Sequence, residues 1–222
     1  MLRIEFHAHT IFSKDSLTTP QRLVDACRRK GIDRVVVTDH NTIAGGRAAQ
    51  NLAPELVIVG EEIMTTRGEI LAAYVEEEVP PHLSPMETIA RLKEQGAFIS
   101  VSHPFDVYRG GHWNENDLLK ILPHIDAIEV FNARCWLPKF NRQASEFAAQ
   151  HNLPGTVGSD AHAPLELGRA VLLLEQFEGP EEMRKAIRNG KQQVKWSPPW
   201  FHLLSRYAVI RKRLGLNLDM QK

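Results

Sequence analysis

The sequence has only two cysteines in 222 residues, Cys27 and Cys135. They lie far apart and match no thiolate spacing for zinc. That excludes a zinc knuckle or a disulfide scaffold, and both read as free thiols of a reducing compartment. Neither sign of charge is in excess, with Lys+Arg and Asp+Glu at 27 each. A large, non-specific nucleic-acid footprint would need surplus base, although a local basic pocket would not. No stretch approaches the ~18–20 consecutive apolar residues of a membrane span. The opening Met1-Leu2-Arg3-Ile4-Glu5-Phe6-His7 also lacks the apolar segment of a signal peptide. Internal repeats and low-complexity linkers are missing too. These absences point to a cytoplasmic globular protein with no membrane partner. With 43% hydrophobic residues, the length suffices for one sizeable core.

Short β-rich runs alternate with helix-like segments. The strands are expected at 2–7, 33–38, 56–60, 69–75, 97–101, 126–131, 155–158 and 169–174. Near-continuous apolar runs such as Val35-Val36-Val37 and Val57-Ile58-Val59 suit a buried parallel sheet. Thr19-Pro20 opens a helix that stops at Gly31, and Ser84-Pro85-Met86-Glu87 has capping-box spacing for one ending at Gly96. Residues 138–151 and 180–189 read as further amphipathic helices. The expected fold class is α/β, a parallel sheet that is either open or closed into a barrel. The composition shifts only near the end, where Trp196-Ser197-Pro198-Pro199-Trp200 precedes a basic stretch from Arg206 to Arg213. The expected organisation is a domain over 1–195 and a basic helix within 196–222 packed on its outside. Nucleic acid or a second subunit is the alternative use of that basic surface.

Histidines and carboxylates recur at the ends of the hydrophobic runs. His7-Ala8-His9 puts two imidazoles on one face of a strand, with Asp15 shortly after. Asp39-His40 follows Val35-Val36-Val37-Thr38, Glu62 follows Val57-Ile58-Val59-Gly60, and His103 follows Phe98-Ile99-Ser100-Val101-Ser102. Asp160-Ala161-His162 follows Thr156-Val157-Gly158-Ser159. Imidazole and carboxylate are the usual ligands of Zn, Mn and Fe. In α/β barrels catalytic groups collect at the carboxyl ends of the strands. The repeated pattern of strand, ligand, helix reads as a metal-dependent hydrolase.

Taken together, His7-Ala8-His9-Thr10, Thr38-Asp39-His40-Asn41-Thr42, Gly60-Glu61-Glu62, Ser102-His103-Pro104 and Gly158-Ser159-Asp160-Ala161-His162 resemble the PHP family, the polymerase-and-histidinol-phosphatase superfamily. The motifs stand in the family's order over residues 1 to about 175. The resemblance implies a distorted seven-stranded (β/α)7 barrel with two or three divalent ions (Mn, Fe or Zn) at the carboxyl ends of its strands. It also implies phosphoester hydrolysis through a metal-bridged hydroxide. Carried over by residue, it assigns His7, His9, Glu62 and Asp160 to a first ion. Glu62 bridges to a second ion that His103 also holds. Asp15, His40 and His162 go to a third. Asp39 is expected to orient a ligand histidine through its other ring nitrogen. The chain departs from the family seven residues after Glu62, where many members have histidine and this one has Glu69. A carboxylate there can still bind and favours Mn or Fe(II) over Zn. Glu61 is expected to be a bystander.

Arg109 and Arg134 are the expected phosphate clamps, because a guanidinium fork donates two parallel hydrogen bonds. Lys14 and Asn132 are lesser possibilities. His82, His112, His124, His151 and His202 fit no motif and read as surface groups, with His112 in a mobile Gly110-Gly111 loop. The expected substrate is a phosphorylated small molecule or a short nucleic acid. The alternatives are a histidinol-phosphate phosphatase, a nuclease steered by the Arg206–Arg213 bases, or a metal-binding module without catalysis.

Overall fold

The computed structural model describes residues 1–216; the rest of the expected basic segment lies outside the described residues. Among the described residues nine strands run in the order β1 (Leu2–Ala8), β2 (Arg34–Val37), β3 (Val57–Met64), β4 (Glu69–Ala73), β5 (Phe98–Val101), β6 (Ile128–Asn132), β7 (Gly155–Gly158), β8 (Ala170–Leu174) and β9 (Lys191–Val194). The helices are α1 (Pro20–Arg29), α2 (Ala44–Leu52), α3 (Pro85–Glu94), α4 (Glu115–Ile121), α5 (Pro138–Gln150), α6 (Gly179–Ala186) and α7 (Phe201–Arg213). Thr19 caps α1, and Ser84 with Glu87 forms a complete capping box on α3.

Seven strands form one sheet in the order β5-β4-β3-β2-β1-β8-β9, and β6 pairs with β7. The sheet curls into a half-barrel and the β6–β7 pair closes the gap. On one side the Ile99 carbonyl of β5 accepts from the amides of Asp126 and Ala127. On the other, Ala161 bridges β1, donating to His7 O at 3.1 Å and accepting from His9 N at 2.9 Å. Inside, Ser100 of β5 meets Thr156 of β7, hydroxyl to hydroxyl at 3.0 Å. The result is the distorted α/β barrel, with β8 and β9 appended to the lower edge of β1.

The sheet is less parallel than the alternating pattern predicts. β4 runs antiparallel to β3 and β5, and β8 antiparallel to β1 and β9. The β4 reversal is forced by length. Met64 pairs directly with Glu69, and a tight turn braced by Thr65 Oγ1 leaves no room for the crossover that parallel neighbours need. Helices α2 and α4 and strand β9 are not visible in the sequence periodicity. α2 begins Ala44-Gly45-Gly46, a poor helix former, and those glycines are buried against Asp39 and Val59. A large apolar cluster joins Phe6, Val36, Ile58 and Phe98 to Ile89, Leu92 and Phe147. A smaller one seats Leu23, Val24 and Ala49 of α1 and α2 on Val35 and Val37.

The last helix is not part of the outer helical layer. α7 lies across the carboxyl ends of the strands. Lys212 Nζ donates to the carbonyls of Ile11, at 2.6 Å, and Ser13. Ser205 Oγ accepts from Arg134 Nη2 at 2.8 Å.

Candidate metal centre

Three histidines have their ring protons placed by the protein. His7 Nδ1 is 3.0 Å from Glu129 Oε1. A carboxylate only accepts, so in the neutral ring Nδ1 carries the proton and Nε2 the lone pair. His9 Nδ1 is 3.1 Å from Ser13 Oγ, whose own proton goes to Asp39 Oδ1 at 2.6 Å; the hydroxyl therefore accepts from His9. His162 Nδ1 donates to the Asp160 carbonyl at 2.8 Å. In each ring Nε2 is left facing carboxylates. His7 Nε2 is 3.3 Å from Glu62 Oε1, His9 Nε2 is 3.3 Å from Asp160 Oδ1, and His162 Nε2 is 3.1 Å from Asp15 Oδ2. Two more histidines converge on Glu62, His40 through Nδ1 at 2.9 Å and His103 through Nε2 at 3.2 Å.

Buried polar atoms almost always find a hydrogen-bond partner, and an orphan costs about 1–3 kcal/mol. Here Nε2 of His7 and His9, Asp15 Oδ1, Glu62 Oε2 and Asp160 Oδ1 are buried without a hydrogen bond among the described residues. Three donor sets each lie within 4.8 Å of one another: His7, His9, Glu62; His9, His40, His162; and His40, Glu62, Glu69. Nitrogen lone pairs and carboxylate oxygens, oriented, buried and unpaired, fit divalent cations.

Burial alone would raise the Glu62 and Asp160 carboxyls. Protonated His7 and His40 beside Glu62, and Arg109 and His7 beside Asp160, instead hold both well below the carboxylate range. Against their burial, the same carboxylates raise His7 and His40 well above the usual imidazole value, so a divalent cation at these rings would take the place of a proton. Burial and the Glu62 charge raise Glu69. Burial, with His162 and His40 close by, lowers His9 to about 3, which leaves its lone pair available. The strand ends carry backbone strain. His103 has φ 26° and Asp160 φ 52°, left-handed values that non-glycine residues rarely adopt and that cluster at functional sites.

Known proteins bear on this centre. The family model described as the PHP domain matches residues 5–134, and one described as PHP-associated matches residues 138–192. The chain belongs to the PHP family. A Methanocaldococcus jannaschii protein, MJ0417, is 33% identical over 187 residues, covering 82% of this chain and 75% of that protein. A two-domain Bacteroides vulgatus structure containing a "predicted PHP-like metal-dependent phosphoesterase" superposes with TM-score 0.69 at 22% identity, over 87% of this chain and 64% of that one. A lesion-specific endonuclease of Pyrococcus furiosus superposes with TM-score 0.58 at 18% identity, over 89% of this chain and 59% of that one. At such identities the two structures speak for the fold alone.

The PHP domain brings His7, His9, Asp15, His40, Glu62, Glu69, His103, Asp160 and His162 to one mouth at the carboxyl ends of the strands. Glu69 faces the centre, with Oε2 3.5 Å from His103 Nε2. Its amide donates to Gly111 O at 3.0 Å and its carbonyl accepts from the Trp113 indole at 3.0 Å. A Cβ on Gly111 would sit 1.9 Å from Glu69 Oε2, so glycine is what lets the loop close over that carboxylate.

Asp39 differs from expectation. It contacts no imidazole directly. It accepts from Thr10 N, Thr10 Oγ1 and Ser13 Oγ, and reaches His9 through the Ser13 hydroxyl. The Ser13 hydroxyl also accepts from His40 N at 3.0 Å. Arg109 and Arg134 line the cavity but are already engaged. Arg109 Nη1 is 2.5 Å from Asp160 Oδ2, and Arg134 pairs with Glu166 at 3.5 Å. His202, read as a surface group, stacks on Trp136 at 4.2 Å and joins the cavity wall.

Sequence reasoning passed over several buried carboxylates, three of which brace the segments of the centre. Glu129 holds His7, Glu166 accepts from the amides of His162 and Ala163, and Glu5 accepts from Ser159, Gly168 and His7. Glu5 and Glu129 were detectable as charges inside apolar runs, Ile4-Glu5-Phe6 and Ile128-Glu129-Val130.

Proposed function

We propose that this PHP domain is a metal-dependent phosphoesterase that cleaves a phosphate monoester or the terminal phosphate of a nucleotide or short oligonucleotide. The observation that carries the reading is the set of orphaned, buried imidazole and carboxylate atoms at the mouth, beside a cavity of about 720 Å³. His7, His9, Glu62 and Asp160 would hold one ion, Glu62, Glu69 and His103 a second, and Asp15, His40 and His162 a third. Bound divalent ions supply an activated water and neutralise charge on a phosphoryl group.

The chain's own residues do the rest. Glu129, Ser13 and the Asp160 carbonyl hold the ring tautomers that keep Nε2 available. Lys14 and Arg206 line the cavity, have no carboxylate partner among the described residues and make it attractive to a polyanion, while Arg109 and Arg134 line it paired with Asp160 and Glu166. α7 walls one side with His202, Ser205 and Ile210 and reduces access of bulk water. The oxygen-rich set around Glu69 favours Mn or Fe(II) over Zn.

The test is phosphate release from a panel of monoesters, histidinol phosphate, nucleotides and short RNA, with Mn-loaded protein beside His103→Ala. Release by wild type and a loss of at least about 100-fold in the variant supports the proposal. Metal-bound protein that releases nothing from any substrate would instead identify a binding module. Cleavage confined to internal bonds of RNA would identify a nuclease.

A further inference from the structure

One buried carboxylate touches ligands of two different ion positions. Glu129 leaves β6 fully enclosed. Its Oε1 accepts from His7 Nδ1 at 3.0 Å, and His7 belongs to the first position. Its Oε2 accepts from the backbone amide of His103 at 2.7 Å, and His103 belongs to the second. Oε2 also accepts from Asn132 Nδ2 at 3.0 Å. The same Asn132 amide group lies 3.2 Å from Asp160 Oδ2, a further group of the first position.

Each contact fixes something that would otherwise be free. The bond to His7 sets the tautomer. The bond to the His103 amide holds a residue whose φ of 26° is unfavourable for a side-chain-bearing residue. The bridge through Asn132 orients a carboxylate that Arg109 would otherwise draw away, since Arg109 Nη1 is 2.5 Å from that same Oδ2. Gly158 of β7 completes the arrangement. A Cβ there would stand 2.3 Å from Glu129 Oε1 and 2.4 Å from His7 Cβ, so the glycine of the Gly158-Ser159-Asp160 motif makes room for the contact.

We propose that Glu129 is a positioning residue that couples the two ion positions, holding His7 of one and His103 of the other, so that loss of its charge weakens both together. The proposal rests on the ligand sets assigned under the phosphoesterase reading. The third set, Asp15, His40 and His162, is not among the residues that Glu129 contacts and serves as the internal control.

Glutamine at 129 keeps the shape. Its oxygen can still accept from His7, but its NH2 then faces the His103 amide and the Asn132 amide, donor against donor. Removing a hydrogen-bond partner of a ligand in this way typically costs about 10–100-fold in metal affinity.

The experiment is a Mn²⁺ titration of the metal-stripped full chain, followed by calorimetry and by electron paramagnetic resonance, which reports spin-coupled ion pairs. It compares wild type with Glu129→Gln, Asn132→Ala and Glu69→Gln. Near-ultraviolet circular dichroism of each metal-stripped variant checks folding. The expected result is that Glu129→Gln weakens two of the sites by about 10–100-fold each and removes the coupled-pair signal, while the third site stays within about twofold. Glu69→Gln should weaken one site only. Asn132→Ala should weaken the first position more than the second, and it carries the test if Glu129→Gln does not fold. Glu129→Gln affinities within twofold of wild type, or a loss at one position alone, would overturn the coupling. Failure of wild type itself to bind Mn²⁺ would overturn the phosphoesterase reading instead, so the two failures are distinguishable.

Discussion

At the scale of single residues, the centre works by assigning each polar atom a partner and leaving a chosen few without one. Gly158 shows how tight this is. A methyl group there collides with both Glu129 and His7, and overpacking a closed site costs about 1–3 kcal/mol. Gly158→Ala is expected to lose that much stability in urea unfolding and to bind Mn²⁺ more weakly. An unchanged unfolding midpoint together with unchanged Mn²⁺ affinity would contradict the geometry.

His202 gives a pH-dependent outcome. Burial, and then the positive charges of Arg134 and Arg109, lower it from 6.5 to about 4. Its folded pKa lies below its unfolded one, so its contribution is complete above pH 6.5 and is lost as pH falls through 4. The ring is only partly buried at the cavity wall, and solvent screening reduces the effect to about 1 kcal/mol. Comparing unfolding of wild type and His202→Gln at pH 7 and pH 4.5 checks this: the variant should lose less stability on acidification. An equal loss would remove His202 from the account.

At the scale of elements, the parallel strands deliver side chains to one end and the connections determine what those side chains meet. β3 and β4 form a hairpin, so Glu62 and Glu69 come from neighbouring antiparallel strands and face the same mouth. α7 depends on a few tethers. Only Phe201 and Ala208 of it are buried, and Lys212 ties its far end to the loop that carries Asp15. Lys212→Met removes a charged donor from two carbonyls and is expected to cost about 1–2 kcal/mol. Backbone hydrogen exchange should then rise over residues 201–213 and 10–18. Protection there that matches wild type would mean that the helix is held by packing alone.

At the scale of the molecule, the barrel brings together seven imidazole or carboxylate segments separated by up to 155 residues, from His7 to His162. The protein is therefore expected to gain stability from divalent ions. Mn²⁺ at a hundred times its dissociation constant adds about 2.7 kcal/mol per site. Tm should rise on loading and return on chelation. A Tm indifferent to both would count against the whole centre.

The sequence by itself determined the imidazole and carboxylate groups of the candidate centre, their order and the strand ends that carry them, because local hydrophobic runs mark the strands and each run stops at a polar group. His7, His9, Glu62, His103 and Asp160 were legible for that reason. It also supplied the capped helices α1 and α3, whose signals lie within a few residues of each other. Tertiary structure alone decided the antiparallel β4, the position of α7 at the mouth and the engagement of Arg109 with Asp160. It also decided that Ser13 stands between Asp39 and His9, and that Glu129 ties His7 to His103. These depend on side chains far apart in the chain meeting in a closed, low-dielectric space, where the partner of a charge is fixed by the fold and leaves no mark on its sequence neighbours.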